Sequence, residues 1–454
     1  MIINKFGPLK EASIKLGNMN IFYGKNGHGK TFVSYALYGM YRTLIQSNYN
    51  IVNPNNVQYS ENEVIFRINK ELLLKNIAES AIKNINTDIK NILKKTFSSP
   101  EVVSNQDTHI AITDEDIISL FNDKFEDISN SYLAVNGSKI FHFLYSVSLN
   151  KDKEFEFHFF ITTGVSVQDD TKNETINVQQ ANTDTSRFVF QTINQLIIKY
   201  IYSIKNILYF PAERSGMHVF LNEINKNRSN KIGQLSDQKP VKYPLPISQY
   251  LIYLNYISDY YNYFYQDDFV SAERWEIWSD FLKNIIQGKF ETQDFEIYYR
   301  KLYGKINKDK KTKYSTQKLP FNIISSSLKT IYGLDFYIQN EFTKNDILFI
   351  DEPEMNLDPE KQVQLSKILL KLSEVGIKVV ISTHSDFILR YFTNKSLEKT
   401  LADKDTFNSI QIFHFQNGTI DTVDASDLSQ NYFETYDLEY EKLQNEFYNL
   451  IDKL

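Results

Sequence analysis

The stretch Gly24-Lys25-Asn26-Gly27-His28-Gly29-Lys30-Thr31 constrains this chain more than any other. It fits the spacing G-x-x-x-x-G-K-[ST] and stands between an apolar run ending at Tyr23 and an amphipathic run beginning at Lys30. Glycines let the backbone wrap a phosphate with its N–H groups turned inward, and a helix start adds partial positive charge. The spacing therefore demands a strand, a loop and a helix in that order, which commits the chain to a sheet covered by helices. On this reading Asn26, Gly27, His28 and Gly29 cradle phosphate. Lys30 reaches the outer phosphates, and Thr31 is a ligand for Mg²⁺.

A second half of the site is expected far along the chain. Ile347-Leu348-Phe349-Ile350-Asp351-Glu352-Pro353 reads as an apolar strand ending in two acids. Ligands of open α/β sheets bind beyond the carboxyl ends of their strands. Asp351 suits Mg²⁺ held through water, and Glu352 suits a base for an attacking water. Glu354, Asp358 and Glu360 also fit a helix start, where acids favour the dipole, and Glu354 is assigned there. The run 377–381 reads as another buried strand, followed by Ser382-Thr383-His384-Ser385. His384 then stands at the same sheet edge, placed to contact a terminal phosphate.

The rest of the chain gives a coarse layout. Residues 1–5, 12–16 and 19–23 alternate like strands of a hairpin, and 30–45 reads as a helix. Residues 72–97 form an amphipathic helix with Leu74, Ile77, Ala81, Ile85, Ile89 and Ile92 on one stripe, suited to local packing or to a modest coiled coil. Strands are expected at 64–68, 141–149, 154–162 and 206–210, and a second helix ends near Tyr202. Residues 98–107 and 168–187 read as loops, and 246–287 as helical. Strand and helix alternate over 347–392, a rhythm that implies a parallel sheet. The segment 300–318 is locally basic, either a solvated hairpin loop or a contact for nucleic acid or an acidic protein. Tyr436, Tyr440, Leu443, Phe447, Leu450 and Leu454 recur at heptad-like spacing, which suits docking on this chain or on another protein.

Composition removes several chemistries. With no cysteine among 454 residues there is no disulfide, thiolate zinc site, cysteine-ligated iron–sulfur cluster or cysteine nucleophile. A net charge of -6 argues against global attraction to nucleic acid. No apolar run is long enough to span a membrane, and the N-terminus lacks a signal-like core, so no membrane partner and a cytoplasmic location are expected.

Taken together, the phosphate loop, Asp351-Glu352, Asn356-Leu357-Asp358-Pro359 and His384 resemble an ABC-type ATPase of the OLD/RecF/SMC-like branch. The stretches Asp-Glu-Pro-Glu-Met-Asn-Leu-Asp-Pro and Ser-Thr-His-Ser resemble in particular the ATPases of bacterial anti-phage systems, among them those of Gabija, AriA of PARIS and PtuA of Septu. The resemblance implies an α/β ABC-ATPase head. Its N-terminal lobe is 1–47 and its C-terminal lobe 321–454, interrupted by a large α+β and helical insertion at 48–320. It also implies ATP and Mg²⁺ as cofactors, with Glu352 and His384 catalytic. Ser325, Ser326 and Ser327 stand where the family's signature belongs, without its glycines, and Asp358 matches the residue that crosses the subunit interface. The family's Q-loop glutamine is left open among Gln46, Gln58 and Gln168.

The same resemblance implies a homodimer or larger homo-oligomer that sandwiches ATP. The leading functional expectation is a sensor or switch in phage defence, triggered by nucleic acid or a phage product and controlling a separate effector, a nuclease or toxin. The stretch after His384 has no dense acidic cluster of a nuclease. A DNA-binding repair ATPase of the RecF/SMC kind is the alternative. A transporter subunit and a non-enzymatic scaffold are the remaining readings.

Overall fold

The computed structural model describes residues 1–454 other than 48, 50, 53–56, 61–62, 104–107, 122–124, 137–138, 166–173, 176–182, 203, 221–242, 264–271, 294–295, 304–312, 402–409, 425–440 and 447–454. Contacts divide the chain into two units. One holds 1–2, 40–92 and 110–205; the other holds 3–39, 93–109 and 206–454. Residues 206–320, expected within the insertion, thus share a unit with the phosphate loop.

That second unit is built on a six-stranded sheet. Its order is Ile207–Phe210, Ile347–Asp351, Lys378–Thr383, Met19–Gly24, Ile410–Gln416 and Thr419–Thr422. The first five run parallel and the last is antiparallel to its neighbour. The three central strands are buried at every position, as expected for strands covered on both faces. The strand ending at Thr383 lies between the phosphate-loop strand and the Asp351 strand. Asp351 is in register with Ser382, and Thr383 with Tyr23, so the ends of three strands meet at one edge.

Helices cover the sheet for a simple reason. The helix Pro359–Glu374 repeats Leu365, Ile368, Leu369 and Leu372 at helical spacing, and all four are buried in one core with Ile21, Leu348, Ile350, Val379 and Ile381. Each such side chain contributes about 1.5–3 kcal/mol on burial. Asp358 stops this helix at its N-terminus by accepting a hydrogen bond from the Lys361 N–H at 2.9 Å. Elsewhere in this unit Tyr209 stacks on Phe349 at 5.7 Å, with Tyr38 edge-on to both.

Two expectations need correction here. Residues 19–23 are not the third strand of an N-terminal hairpin. Ile2–Phe6 pairs with Leu9–Ser13, whereas Met19–Gly24 joins the parallel sheet, because its positions are apolar or buried throughout instead of alternating. The expected rhythm also stops too early. Ile410–Gln416 and Thr419–Thr422 extend the sheet, joined by Asn417-Gly418 with φ of 48° and 89°, a two-residue hairpin turn that needs two left-handed residues.

The first unit holds an antiparallel sheet in the order Gln58–Ser60, Glu63–Asn69, Glu154–Val165, Lys139–Leu149, Ile128–Asn136. Phe155, Phe157, Phe159 and Ile161 are buried at alternate positions, the period of a strand with one covered face. Ile128–Asn136 was not expected. The helix Lys70–Phe97 has the expected stripe with one change: Leu73, not Leu74, is fully buried with Ile77, Ala81, Ile85 and Ile92.

The helices Leu245–Tyr263 and Ala272–Phe281 match the expected helical stretch. In the basic segment, Glu291 gathers Lys289, Arg300 and Lys318 within 3.1–3.6 Å, and 304–312 lies outside the described residues. At the C-terminus 441–446 is helical with Leu443 exposed, and the other heptad positions lie outside the described residues. Among the described residues no helix is long and apolar enough to cross a membrane.

Candidate functional site

A cleft of 360 Å³ opens where the central strands end. Asn26, Gly27, Gly29, Lys30, Thr31 and Phe32 line it with Pro8, Glu352, Ser382 and His384. Residues far apart in sequence thus meet in one place. The loop backbone explains its glycines. Gly24 has φ 140°, and a Cβ there would lie 2.3 Å from the Phe415 carbonyl oxygen. Gly27 has φ 80° with open space around it, so it bends the loop without being pressed by anything. The helix Lys30–Gln46 begins as Val33 N–H donates to the Gly29 carbonyl at 3.0 Å.

Lys30 is buried. Its ammonium donates to the Gly24 and Lys25 carbonyls at 2.8 and 3.1 Å. Burial pulls its pKa down to about 8, against the opposing charges of Glu352, Asp351 and Glu354. An anion in the cleft would favour the charged form. Thr31 is exposed beside it. His28 is not among the residues lining the cleft, and its Nδ1 donates to the Phe415 carbonyl at 3.0 Å.

Asp351 is buried and both its carboxylate oxygens are engaged. Tyr209 donates to Oδ2 at 2.6 Å and Ser382 donates to Oδ1. Burial raises its pKa to about 6, and the two hydroxyls oppose that rise. Glu352 follows with φ 45°, its N–H donating to the Ser382 carbonyl at 2.8 Å. That left-handed turn ends the strand and leaves the Glu352 side chain lining the cleft.

Glu354 is not a helix-start acid. Its Oε1 accepts from the His384 N–H at 2.7 Å, and burial raises its pKa. It thus fixes the chain just where His384 enters the cleft. The pKa of His384 is lowered, first by burial and then by the Lys30 charge.

Ser325, Ser326, Ser327 and Asp358 do not line this cleft. Ser325 caps the helix Ser326–Phe336, accepting from the Leu328 N–H at 3.4 Å and bonding Ser327 Oγ at 2.8 Å. Ser325 and Ser326 are exposed, and so is Asp358, whose pKa is lowered chiefly by the Lys361 N–H. Gln46 ends a helix and Gln58 opens a strand, while Gln168 lies outside the described residues.

Sequence reasoning passed over three contributors. Tyr209 lay within an expected strand and Ser382 within the Ser-Thr-His-Ser stretch, neither with a role at the site, and Arg214 was assigned no role. Arg214 is buried and donates to the carbonyls of Asp351, Glu352, Pro211 and Thr330.

As for the ligand, the cleft is lined by the loop residues Asn26, Gly27 and Gly29, by a buried ammonium bonded to carbonyls, and by Thr31 beside Glu352 at the acidic strand end. These donors fit a phosphate chain with a hard divalent cation.

A stretch of 76 residues, 17% of this chain, is 38% identical to the Old nuclease of Escherichia phage P2 and covers 11% of that protein's length. The chain therefore spans a small part of that relative. Solved structures that align along most of the chain include an Smc head bound to the C-terminal winged-helix domain of ScpA. It is 10% identical with a TM-score of 0.32, covering 93% of this chain and 96% of that one. The Smc head of Thermotoga maritima aligns at 11% identity and a TM-score of 0.26, covering 93% and 96%. At these scores the strand order above stands on its own. The model of the AAA ATPase domain (AAA_15) matches residues 1–389. This chain belongs to that family of ATPase domains.

Proposed function

We propose that the chain binds ATP with Mg²⁺ at this cleft, hydrolyses it, and acts as the sensor or switch subunit of a bacterial anti-phage system that controls a separate nuclease or toxin. The observation that carries the catalytic part is the convergence of Lys30, Thr31, Glu352 and His384 on one cleft beside buried Asp351. The loop N–H groups and Lys30 bind and orient the phosphates. Glu352 takes the proton of the attacking water, and His384 contacts the terminal phosphate. Thr31 and Asp351 would hold Mg²⁺, Asp351 through water, its two oxygens already hydrogen-bonded by Tyr209 and Ser382. When bound, the cation neutralises charge on the phosphates.

Ser325, Ser326, Ser327 and Asp358 are assigned to the cleft of a second copy. The exposure of Ser325, Ser326 and Asp358, and the absence of all four residues from the cleft lining of their own chain, support that reading. The assembly is then a homodimer or larger ring. The defence role draws support from the motif set and from the short stretch shared with the phage P2 Old nuclease. The test is purification with the product of the neighbouring reading frame. An ATP-dependent complex with a nuclease or toxin is expected; ATP turnover stimulated by DNA, with no such complex, would point to the repair reading.

A further inference from the structure

Arg214 is 3% exposed, and four of its five N–H donors go to main-chain carbonyls. Nη1 donates to Asp351 at 2.6 Å and to Pro211 at 2.9 Å. Nη2 donates to Glu352 at 2.8 Å, and Nε to Thr330 at 3.2 Å. Two of these acceptors are successive residues. In an extended strand successive carbonyls point to opposite sides. Those of Asp351 and Glu352 converge on one guanidinium because the chain turns left-handed at Glu352, with φ 45°. For a residue with a Cβ that conformation persists only where its surroundings hold it. The Ser382 carbonyl holds the turn from one side through the Glu352 N–H, and Arg214 holds it through both carbonyls.

The fourth acceptor leads elsewhere. Thr330 lies on the helix Ser326–Phe336, whose exposed start carries Ser325 and Ser326. Its hydroxyl accepts from Asn356 Nδ2 at 3.1 Å, and Asn356 is itself left-handed, φ 61°, just before Asp358. One buried side chain therefore joins the turn at Glu352 to the helix that bears the serines, and Asn356 joins the same helix to the segment that bears Asp358.

We propose that Arg214 is a positioning residue for hydrolysis: it clamps the turn that aims Glu352 into the cleft and locks that turn to the helix Ser326–Phe336. This rests on Glu352 acting in ATP hydrolysis. Arg214 does not line the cleft, so it governs the chemical step and leaves nucleotide binding alone. It also makes the geometry of Glu352 dependent on the serine-bearing helix, so that engagement of that helix by a second copy is felt at the base.

The test is Arg214→Lys, which keeps the charge but replaces a planar fork by a single donor atom that cannot span these carbonyls. The expected result is a fall in kcat of tenfold or more, with the Kd for ATP and the KM within threefold of wild type. A kcat within twofold of wild type would overturn the proposal, as would a loss of ATP affinity in step with kcat, which marks a merely structural role. If the lysine variant does not fold, Arg214→Gln is read by the same criteria, and failure of both to fold also overturns it. Wild-type protein and Lys30→Ala are measured alongside. If wild type binds and turns over ATP and Lys30→Ala does not, a negative result with Arg214 counts against this assignment alone. If wild type shows no turnover, the reading of the cleft fails and this proposal falls with it.

Discussion

Tyr209 donates its phenolic proton to Asp351 Oδ2 at 2.6 Å, across two paired parallel strands. The pair is buried, so the hydroxyl is one of two donors that keep a desolvated carboxylate tolerable. Tyr209→Phe preserves the ring stacked on Phe349 and removes the hydroxyl, which donates to Asp351 and also bonds Ser34. The expected cost is about 2 kcal/mol of unfolding free energy, the scale of a hydrogen bond to a charged group. Urea titration of the two proteins checks it, and an unchanged midpoint would mean that the carboxylate does not depend on this bond.

Gly24 and Gly27 separate steric need from open space. Gly24→Ala drives a Cβ against the Phe415 carbonyl, where backbone must move. A loss above about 2 kcal/mol is expected, as for other overpacked sites. Gly27→Ala meets nothing within 4 Å and pays only for its left-handed backbone, about 1 kcal/mol. Thermal melts should rank the two in that order.

Asp335 gives a pH signature away from the cleft. It is buried and accepts from Trp278 Nε1 at 3.0 Å, and burial raises its pKa to about 7. A raised carboxyl pKa means that the folded state holds the proton in a window where the unfolded chain has lost it. The group's contribution is therefore full below its unfolded pKa and is lost as pH rises from about 4 through 7. Asp335→Asn removes this dependence. The variant should gain on wild type as pH rises, by up to about 4 kcal/mol at pH 8, and the gain should be small at pH 4. Urea midpoints at pH 4, 6 and 8 measure it, and a difference independent of pH would place the charge elsewhere.

Asp358 separates a local role from one across subunits. Asp358→Asn retains a side-chain acceptor for the Lys361 N–H, so stability should change by less than about 0.5 kcal/mol, while Asp358→Ala should cost about 1 kcal/mol. Under the dimer reading both variants weaken ATP-dependent self-association. Sedimentation with and without ATP reads this, and equal association of all three proteins would confine Asp358 to capping.

Much of the core and the cleft was legible because local pattern and tertiary role coincide. Gly24 to Thr31 need special backbone torsions that glycine signals, and Ile347 to Ile350 and Ile377 to Ile381 are apolar runs of strand length. What was illegible depends on distant partners. Nothing local tells that Glu354 serves the His384 N–H instead of a helix dipole, or that Arg214 collects carbonyls from three segments. Nor does local alternation tell that Met19 to Tyr23 leaves the N-terminal hairpin for a central place in another sheet. The strand from Ile410 was readable from Asn417-Gly418 and was simply passed over.

The central claim is that Glu352 is the base of an ATPase whose phosphates sit on Lys30. Its most direct test is parallel measurement of ATP binding and Mg²⁺-dependent turnover in wild type, Lys30→Ala and Glu352→Gln. The account predicts turnover by wild type and loss of binding in Lys30→Ala. It predicts that Glu352→Gln binds ATP within threefold of wild type but turns over at least about a hundredfold more slowly, the scale of general-base catalysis. Wild-type turnover in Glu352→Gln, or wild-type affinity in Lys30→Ala, would contradict it.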